Sequence, residues 1–220
     1  MGVITKQRIL ERVAKGEIGF TPNLDVFQLQ DHAVDLRLGF TFLVPKIWHL
    51  TPRGREALST THFDKPNAEF FDIVELEQGQ YFDLLPNEYV LVATLESVKV
   101  PNDLMAVLYP RSSTNRKGLS LDLTGIIDSG YEGQLTLPIR NNTQSQVVRL
   151  YPGERICQIV FEELTEAIVP RRSKYHKRDI IEGIGREKEV EVDLVMKGDI
   201  RLLKSEHAVP LPGAGAQSAQ

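Results

Sequence analysis

Apolar residues recur along this chain with two different periods. Near the start, Ile9, Leu10 and Val13 share one face of a 3.6-residue repeat, Thr5 stands where an N-terminal cap belongs, and Gly16 stands where a helix stops. Residues 6–15 therefore read as one short amphipathic helix. From about residue 34 the repeat shortens to two. β-rich runs follow at 34–38, 41–44, 70–76, 80–84, 89–100, 106–109, 119–123, 134–139, 147–150 and 155–161, with Gly, Pro and Asn between them. Many short strands with turn residues at their ends predict a mainly β chain, folded as a distorted barrel or jelly-roll-like sandwich behind a short N-terminal helix.

Three stretches depart from this rhythm. Residues 45–65 hold Trp48, His49, Pro52, Gly54 and His62 without periodicity and read as a long insertion between strands. After Leu164 the chain turns charged, with Arg171, Arg172, Lys174, His176, Lys177 and Arg178 crowded together, and 187–195 then alternates like one more strand. The end, PLPGAGAQSAQ, has the composition of a flexible tail. The expected organisation is a helix and lead-in over 1–30, a β domain over 31–200, and a tail over 201–220.

Composition narrows the function classes. At 220 residues, with 41% apolar and 25% charged residues, the chain has enough material for one good core and an appendage. A net charge of −4 creates no field that would gather a nucleic acid polymer. Cys157 is the only cysteine, which excludes an intrachain disulfide and makes the cytoplasm the default compartment. No apolar run is long enough to span a bilayer, and the start lacks the apolar core of a signal peptide.

The chemistry is concentrated between Pro110 and Asn141. Arg111, Arg116 and Lys117 supply cations, Ser112, Ser113 and Thr114 supply hydroxyls, and Gly118 permits a turn at which amide groups can face an anion. This is the composition of a triphosphate cradle. Asp128 follows the apolar run Gly125, Ile126, Ile127 and precedes the turn Ser129-Gly130, which holds a carboxylate at the end of a hairpin strand, where it can activate water. The five histidines are too scattered for a metal site.

Four segments, DHAVDLRLG (31–39), PRSSTNRKG (110–118), GIIDSGYEGQL (125–135) and PGERICQIVF (152–161), in this order resemble the trimeric dUTP diphosphatases and their close relatives the dCTP deaminases over most of the chain. The resemblance implies a homotrimer with three sites at subunit boundaries and a free deoxynucleoside triphosphate as substrate, with no membrane partner. Mg²⁺ would be carried on the triphosphate, without direct protein ligands. It further implies Asp128 as the general base for water attacking the α-phosphorus, and Ser112, Ser113, Arg116, Lys117, Gly118, Gln158 and Lys174 on the phosphates. Tyr131 would lie against the deoxyribose, and backbone groups over 122–131, with Asp122, Gly125 and Ile127, would hold the base. Asp35 and Arg111 would support the site indirectly.

The two branches of the resemblance separate on local detail. The helix ahead of VDLRLG resembles the deaminases, whereas GIID followed by a tyrosine resembles the diphosphatases. Deaminases of this kind carry a Thr-Ala-His-Arg run before Ile-Asp and a glutamate in the following strand, and here Pro138 stands at the glutamate's place. Asp122 stands where diphosphatases often have Asn. The diphosphatases close the site with an Arg- and Gly-rich tail bearing an aromatic residue, which PLPGAGAQSAQ lacks, and the segment 171–178 with Lys174-Tyr175 becomes the candidate lid. The expected reaction is dUTP to dUMP and pyrophosphate. Two alternatives stay open: deamination of dCTP, with or without hydrolysis, and a silent nucleotide-sensing trimer.

Overall fold

The computed structural model describes residues 2–59, 70–122, 125–168 and 189–209, and the fold is mainly β with short helices. The first element is a helix, α1 (Lys6–Ala14). Its Ile9 is fully buried, but Leu10, expected on the same face, is 41% exposed, and Arg12 is buried instead, tied to Glu17 at 2.7 Å and Asp103 at 2.5 Å. Thr5 occupies the N-cap position without a side-chain hydrogen bond to the helix, so the start is held by the Ile9 N–H to Thr5 carbonyl bond.

The strands that follow are β1 (Gly19–Thr21), β2 (Val34–Pro45), β3 (Trp48–Thr51), β4 (Gly54–Ala57), β5 (Phe71–Glu75), β6 (Phe82–Leu84), β7 (Tyr89–Lys99) and β8 (Leu104–Pro110). A short helix, α2 (Ser112–Arg116), leads into β9 (Leu119–Leu121), β10 (Ile126–Ile127), β11 (Glu132–Asn141), β12 (Val148–Leu150) and β13 (Arg155–Glu163). The main sheet runs β10-β8-β13-β2-β7-β11-β9, with β1 added to β7 and β5 to β2, and every pairing is antiparallel. It curls around a core that includes Phe42, Phe161, Leu36, Leu38, Leu137 and Ile139, all fully buried. Alternation is cleanest in β11, where Leu135, Leu137 and Ile139 point inward and Thr136 and Arg140 outward. In β7 the buried run is continuous from Val90 to Thr94, because Leu91 and Ala93 join Leu43, Phe71 and Tyr89 in a smaller apolar cluster on the opposite face.

Part of the expected insertion is ordered: β3 and β4 form a two-stranded hairpin, with the Arg55 guanidinium 4.0 Å from the centre of the Trp48 ring. The rest of that stretch, residues 60–65, lies outside the described residues.

By its contacts the chain forms a second compact unit near its end, and its described part corrects the sequence reading. The stretch 187–195, expected as a strand, contains α3 (Glu189–Met196), and residues 201–206, expected as the start of a flexible tail, belong to α4 (Ile200–Glu206). Valines at every second position favour an extended chain, but a helix satisfies its backbone groups internally and needs no partner strand. Gly198 at φ +76° stops α3, with Asp199 N–H returned to the Leu194 carbonyl. Among the described residues no helix is long and apolar enough to cross a membrane.

Candidate functional site

The arms of the expected hairpin are splayed. β10 pairs only with β8, Ile126 opposite Val107 and Ile127 opposite Ala106, while β11 pairs with β7 along its length and with β9 only over 139–141. The two arms meet by backbone bonds at their extremes. Tyr131 N–H donates to the Asp128 carbonyl at 3.1 Å across the turn, and Asp122 N–H donates to the Pro138 carbonyl at 3.1 Å at the other end. Between these closures lies a slot whose facing edges, 125–127 and 133–137, have no strand partner across it among the described residues, so the peptide groups that β8 and β7 leave unused are available to a guest.

Asp128 sits at the closed tip of the slot, exposed, with no side-chain hydrogen bond or ion pair to any described residue. Its turn is pinned from below: the buried Ser129 hydroxyl donates to the Leu104 carbonyl at 2.5 Å and Gly130 N–H to the Val100 carbonyl at 3.0 Å. A rigid turn carrying a bare carboxylate is suited to holding a water. Tyr131 forms a wall rather than a projecting arm. Its ring is 8% exposed within the core, its hydroxyl donates to the Gln134 carbonyl, and burial pushes its pKa up to about 12, so the hydroxyl stays protonated. Ile127 is likewise a core side chain, 4% exposed, and its backbone lies opposite Ala106 of β8. Gly125, at φ +82°, already gives its carbonyl to Leu108 N–H at 2.7 Å. Asp122 is exposed at the open end, and Leu123 and Thr124 lie outside the described residues.

Within the polar run 111–118, residues Ser112–Arg116 form the short helix α2. Helical spacing divides its side chains: Ser112 and Arg116 share one face, Ser113 and Lys117 another, and Thr114 turns inward to donate to the Ile156 carbonyl at 3.0 Å. The expectation that the Gly118 amide faces an anion is corrected, since its N–H donates to the Asn115 carbonyl at 3.0 Å and closes the turn. Gly118 is required there for shape: φ is +81°, and a Cβ would lie 2.5 Å from the Thr143 methyl. Lys117 leans on Glu154 at 3.5 Å. Ser112, Ser113 and Arg116 are exposed and make no side-chain bond to any described residue.

Beneath α2 lies a network the sequence reading largely missed. Asp35 is fully buried; it accepts from Gln158 Nε2 at 2.8 Å, Arg155 Nη1 at 3.1 Å and Gln30 Nε2 at 3.2 Å, and forms an ion pair with Arg111, whose Nε lies 3.2 Å away. Arg37 forms a double contact with Asp25 Oδ2 at 3.0 and 2.7 Å. Gln28 bridges the Asp35 carbonyl and the buried Glu96, whose second oxygen accepts Arg37 N–H at 2.9 Å. A cavity of about 300 Å³ lined by Arg37, Arg111, Ser113, Lys117, Glu154 and Arg155 adjoins this network. Its four cations face three carboxylates, Asp25, Asp35 and Glu154, so most of its charge is already neutralised. Gln158, expected on a ligand, has one amide hydrogen committed to Asp35 and keeps one for another acceptor. A buried aspartate between the apolar Val34 and Leu36 was the available signal for this network; Asp25, Gln28 and Glu96 carried none. Lys174 and the candidate lid lie outside the described residues.

The two halves of the expected site are not neighbours within one chain. Asp128 follows Ile127, which lies opposite Ala106, whereas α2 begins beyond Arg111 at the far end of β8. The six residue steps from Met105 to Arg111 span roughly 20 Å in an extended strand.

Cys157 is buried, and burial raises its thiol pKa, which leaves it an inert core residue.

The chain is similar in sequence to known proteins. The family model described as dCTP deaminase-like matches residues 3–164. The chain is 37% identical over 188 residues to a dCTP deaminase, dUMP-forming, of Methanobrevibacter smithii, covering 81% of this chain and 92% of that one. It is 42% identical over 152 residues to a protein of the same name from Dictyoglomus thermophilum, covering 69% and 73%. Among solved structures, the 2'-deoxycytidine 5'-triphosphate deaminase of Agrobacterium tumefaciens superposes with a TM-score of 0.56 at 24% identity, over 73% of this chain and 47% of that one, and supports the fold. With the curled antiparallel sheet, the splayed β10–β11 slot and this match over most of its length, the chain belongs to the dCTP deaminase-like family.

Proposed function

We propose that the chain cleaves a pyrimidine deoxynucleoside triphosphate between the α- and β-phosphorus atoms, with dUTP to dUMP and pyrophosphate as the simplest form of the reaction. The observation that carries this reading is the exposed, unpartnered Asp128 at the closed tip of a slot with free peptide edges. The base enters between 125–127 and 133–137, the sugar rests on the Tyr131 wall, and the α-phosphate reaches Asp128. Asp128 takes a proton from water as its oxygen bonds to the α-phosphorus, and the bond to the bridging oxygen breaks to release pyrophosphate. Ser112, Ser113 and Arg116 bind the outer phosphates, with Gln158 offering its remaining amide hydrogen.

Because Asp128 and α2 stand about 20 Å apart along β8, the reading requires Asp128 of one copy to meet α2 of another, and a homotrimer with its sites at the boundaries satisfies this. Among the described residues no group of three His, Cys, Asp or Glu side chains could hold a metal. Mg²⁺ would travel on phosphate oxygens and water and neutralise the triphosphate. The cytosol is the proposed setting.

The named relatives favour a second reading, and favour it above the first: dCTP and two waters giving dUMP, ammonia and pyrophosphate. The readings share the chemistry at phosphorus and differ at C4 of the base. Pro138 offers no group to move protons there, which is why dUTP remains the simplest substrate. The test is to incubate the purified protein with dUTP, dCTP and dTTP separately, with Mg²⁺, and to separate the products. dUMP and pyrophosphate from dUTP, lost in Asp128→Asn, supports the first reading, and dUMP with ammonia from dCTP supports the second. Binding without turnover would overturn both in favour of a sensor.

A further inference from the structure

Resting on the reading of Asp128 as the base, we infer that Arg12 of α1, far in sequence from every residue of the site, is a positioning residue: it braces the turn at 100–104 against which the Asp128 turn rests. Three bonds join the two turns. Gly130 N–H donates to the Val100 carbonyl at 3.0 Å, Val100 N–H donates to the Tyr131 carbonyl at 2.9 Å, and the buried Ser129 hydroxyl donates to the Leu104 carbonyl at 2.5 Å. None of them involves the Asp128 side chain, so the carboxylate stays free while its position is set by where 100–104 lies.

The 100–104 turn is itself held by backbone and by one side chain. Leu104 N–H donates to the Pro101 carbonyl at 3.3 Å, and the chain leaving β13 adds Leu164 N–H to the Asp103 carbonyl and Ile168 N–H to the Asn102 carbonyl, both at 3.0 Å. The side chain is Arg12, 7% exposed, whose Nη2 lies 2.5 Å from Asp103 Oδ2 and whose Nε lies 2.7 Å from Glu17 Oε2. A guanidinium keeps its charge when buried and offers directed donors, so it holds a carboxylate in one place. Packing alone would be served by an apolar residue at this inward position of the helix. A charged residue there reaches a turn that an apolar side chain could not hold. Lys99 ties the same region a second time, with Nζ donating to the Gly16 carbonyl at 3.0 Å just past the end of α1.

The brace acts on one half of the proposed site. The phosphate-binding residues on α2 stand roughly 20 Å away along β8. A slackened 100–104 turn therefore displaces the base from its water and leaves the outer phosphates held as before, which lowers kcat and spares KM. Glu17 supplies the internal comparison. It shares the guanidinium with Asp103 and is similarly exposed, 40% against 45%, but among the described residues it makes no bond to the 100–104 turn.

The experiment compares the full-length parent with Arg12→Gln, Arg12→Lys, Asp103→Asn and Glu17→Gln. It reads steady-state release of dUMP from dUTP and from dCTP with Mg²⁺, amide hydrogen exchange, and the thermal midpoint. Arg12→Gln should lower kcat about tenfold with KM held within about twofold. Exchange at Gly130 and Tyr131 should quicken about tenfold relative to the core amides of Leu137 and Phe161. Asp103→Asn should do the same, and the double variant should be no worse than either single one, because both remove one contact. Arg12→Lys should recover part of both losses. Glu17→Gln should lower the thermal midpoint and leave kcat and exchange at 130–131 as in the parent. If Arg12→Gln does not fold, Asp103→Asn, with its half-exposed side chain of unchanged size, decides by the same readouts. A kcat that follows the thermal midpoint through all four variants, Glu17→Gln included, would overturn the inference and leave Arg12 a stabilising residue. Parental kcat in Arg12→Gln would overturn it too, with Asp128 left in its role. Selective exchange at 130–131 in a protein whose parent releases no monophosphate would support the brace and overturn the proposed reaction.

Discussion

The buried network around Asp35 and the β10–β11 slot are built from the same kinds of residue and use them in opposite ways. Around Asp35 the polar groups bind one another: one carboxylate receives three hydrogen-bond donors and a further ion pair, and the cavity above it has its cations largely neutralised. In the slot, the side chains of Asp128 and Asp122 make no hydrogen bond or ion pair to any described residue, and the strand edges face a gap. Groups satisfied inside the fold hold shape, and groups left open are available for a ligand. By this measure Arg116, Ser112 and Ser113 belong with the slot, while Arg111 and Arg155 belong with the scaffold.

The sharpest way to break the comparison is Asp128→Asn. It should lower kcat for monophosphate release by about 10²- to 10⁴-fold, with an unchanged thermal midpoint. Mixing subunits that carry Asp128→Asn with subunits that carry Arg116→Ala, each inactive alone, should restore activity at about a quarter of the sites after random exchange, because each complete site draws on two copies. Failure to complement would mean that one chain brings Asp128 and α2 together.

Asp35→Ala should act on stability. Removing the buried carboxylate strips Arg111, Arg155 and Gln158 of their shared partner. Chemical denaturation should show a loss of about 3 kcal/mol, at the low end for broken buried pairs because both arginines are partly exposed. Unchanged stability would move Asp35 out of the scaffold.

Gly118→Ala should cost about 1–3 kcal/mol through its left-handed backbone and the Thr143 methyl in its path, read by the same denaturation.

The smallest effect concerns Glu96, which is buried and accepts from Gln28 and Arg37 N–H; burial raises its pKa. A carboxyl group whose folded pKa lies above its unfolded value favours the fold at low pH and loses that contribution as pH rises through the folded pKa. The stability of Glu96→Gln relative to the parent should therefore improve as pH rises above the ordinary carboxylate range, measured as unfolding free energy against pH. A flat difference would show that the two hydrogen bonds balance burial.

Much of this was legible along the chain. The two-residue alternation of 134–139 predicted β11, the clustering of Ser112, Ser113 and Arg116 marked the segment proposed to bind phosphates, and Asp128 at a turn marked the proposed base, because alternation, turn chemistry and charge are local properties. The alternation of 187–195 misled, because a valine repeat records a preference for extended chain while backbone hydrogen bonding decides between strand and helix. Only the tertiary structure decided that 111–118 is a helix with two polar faces and that Asp35 satisfies the arginines beneath it. It alone decided that β10 pairs away from β11 to open a slot, and that β8 holds Asp128 and α2 apart. These depend on which strand edges meet and in what register, and register is set by packing between residues far apart in the chain.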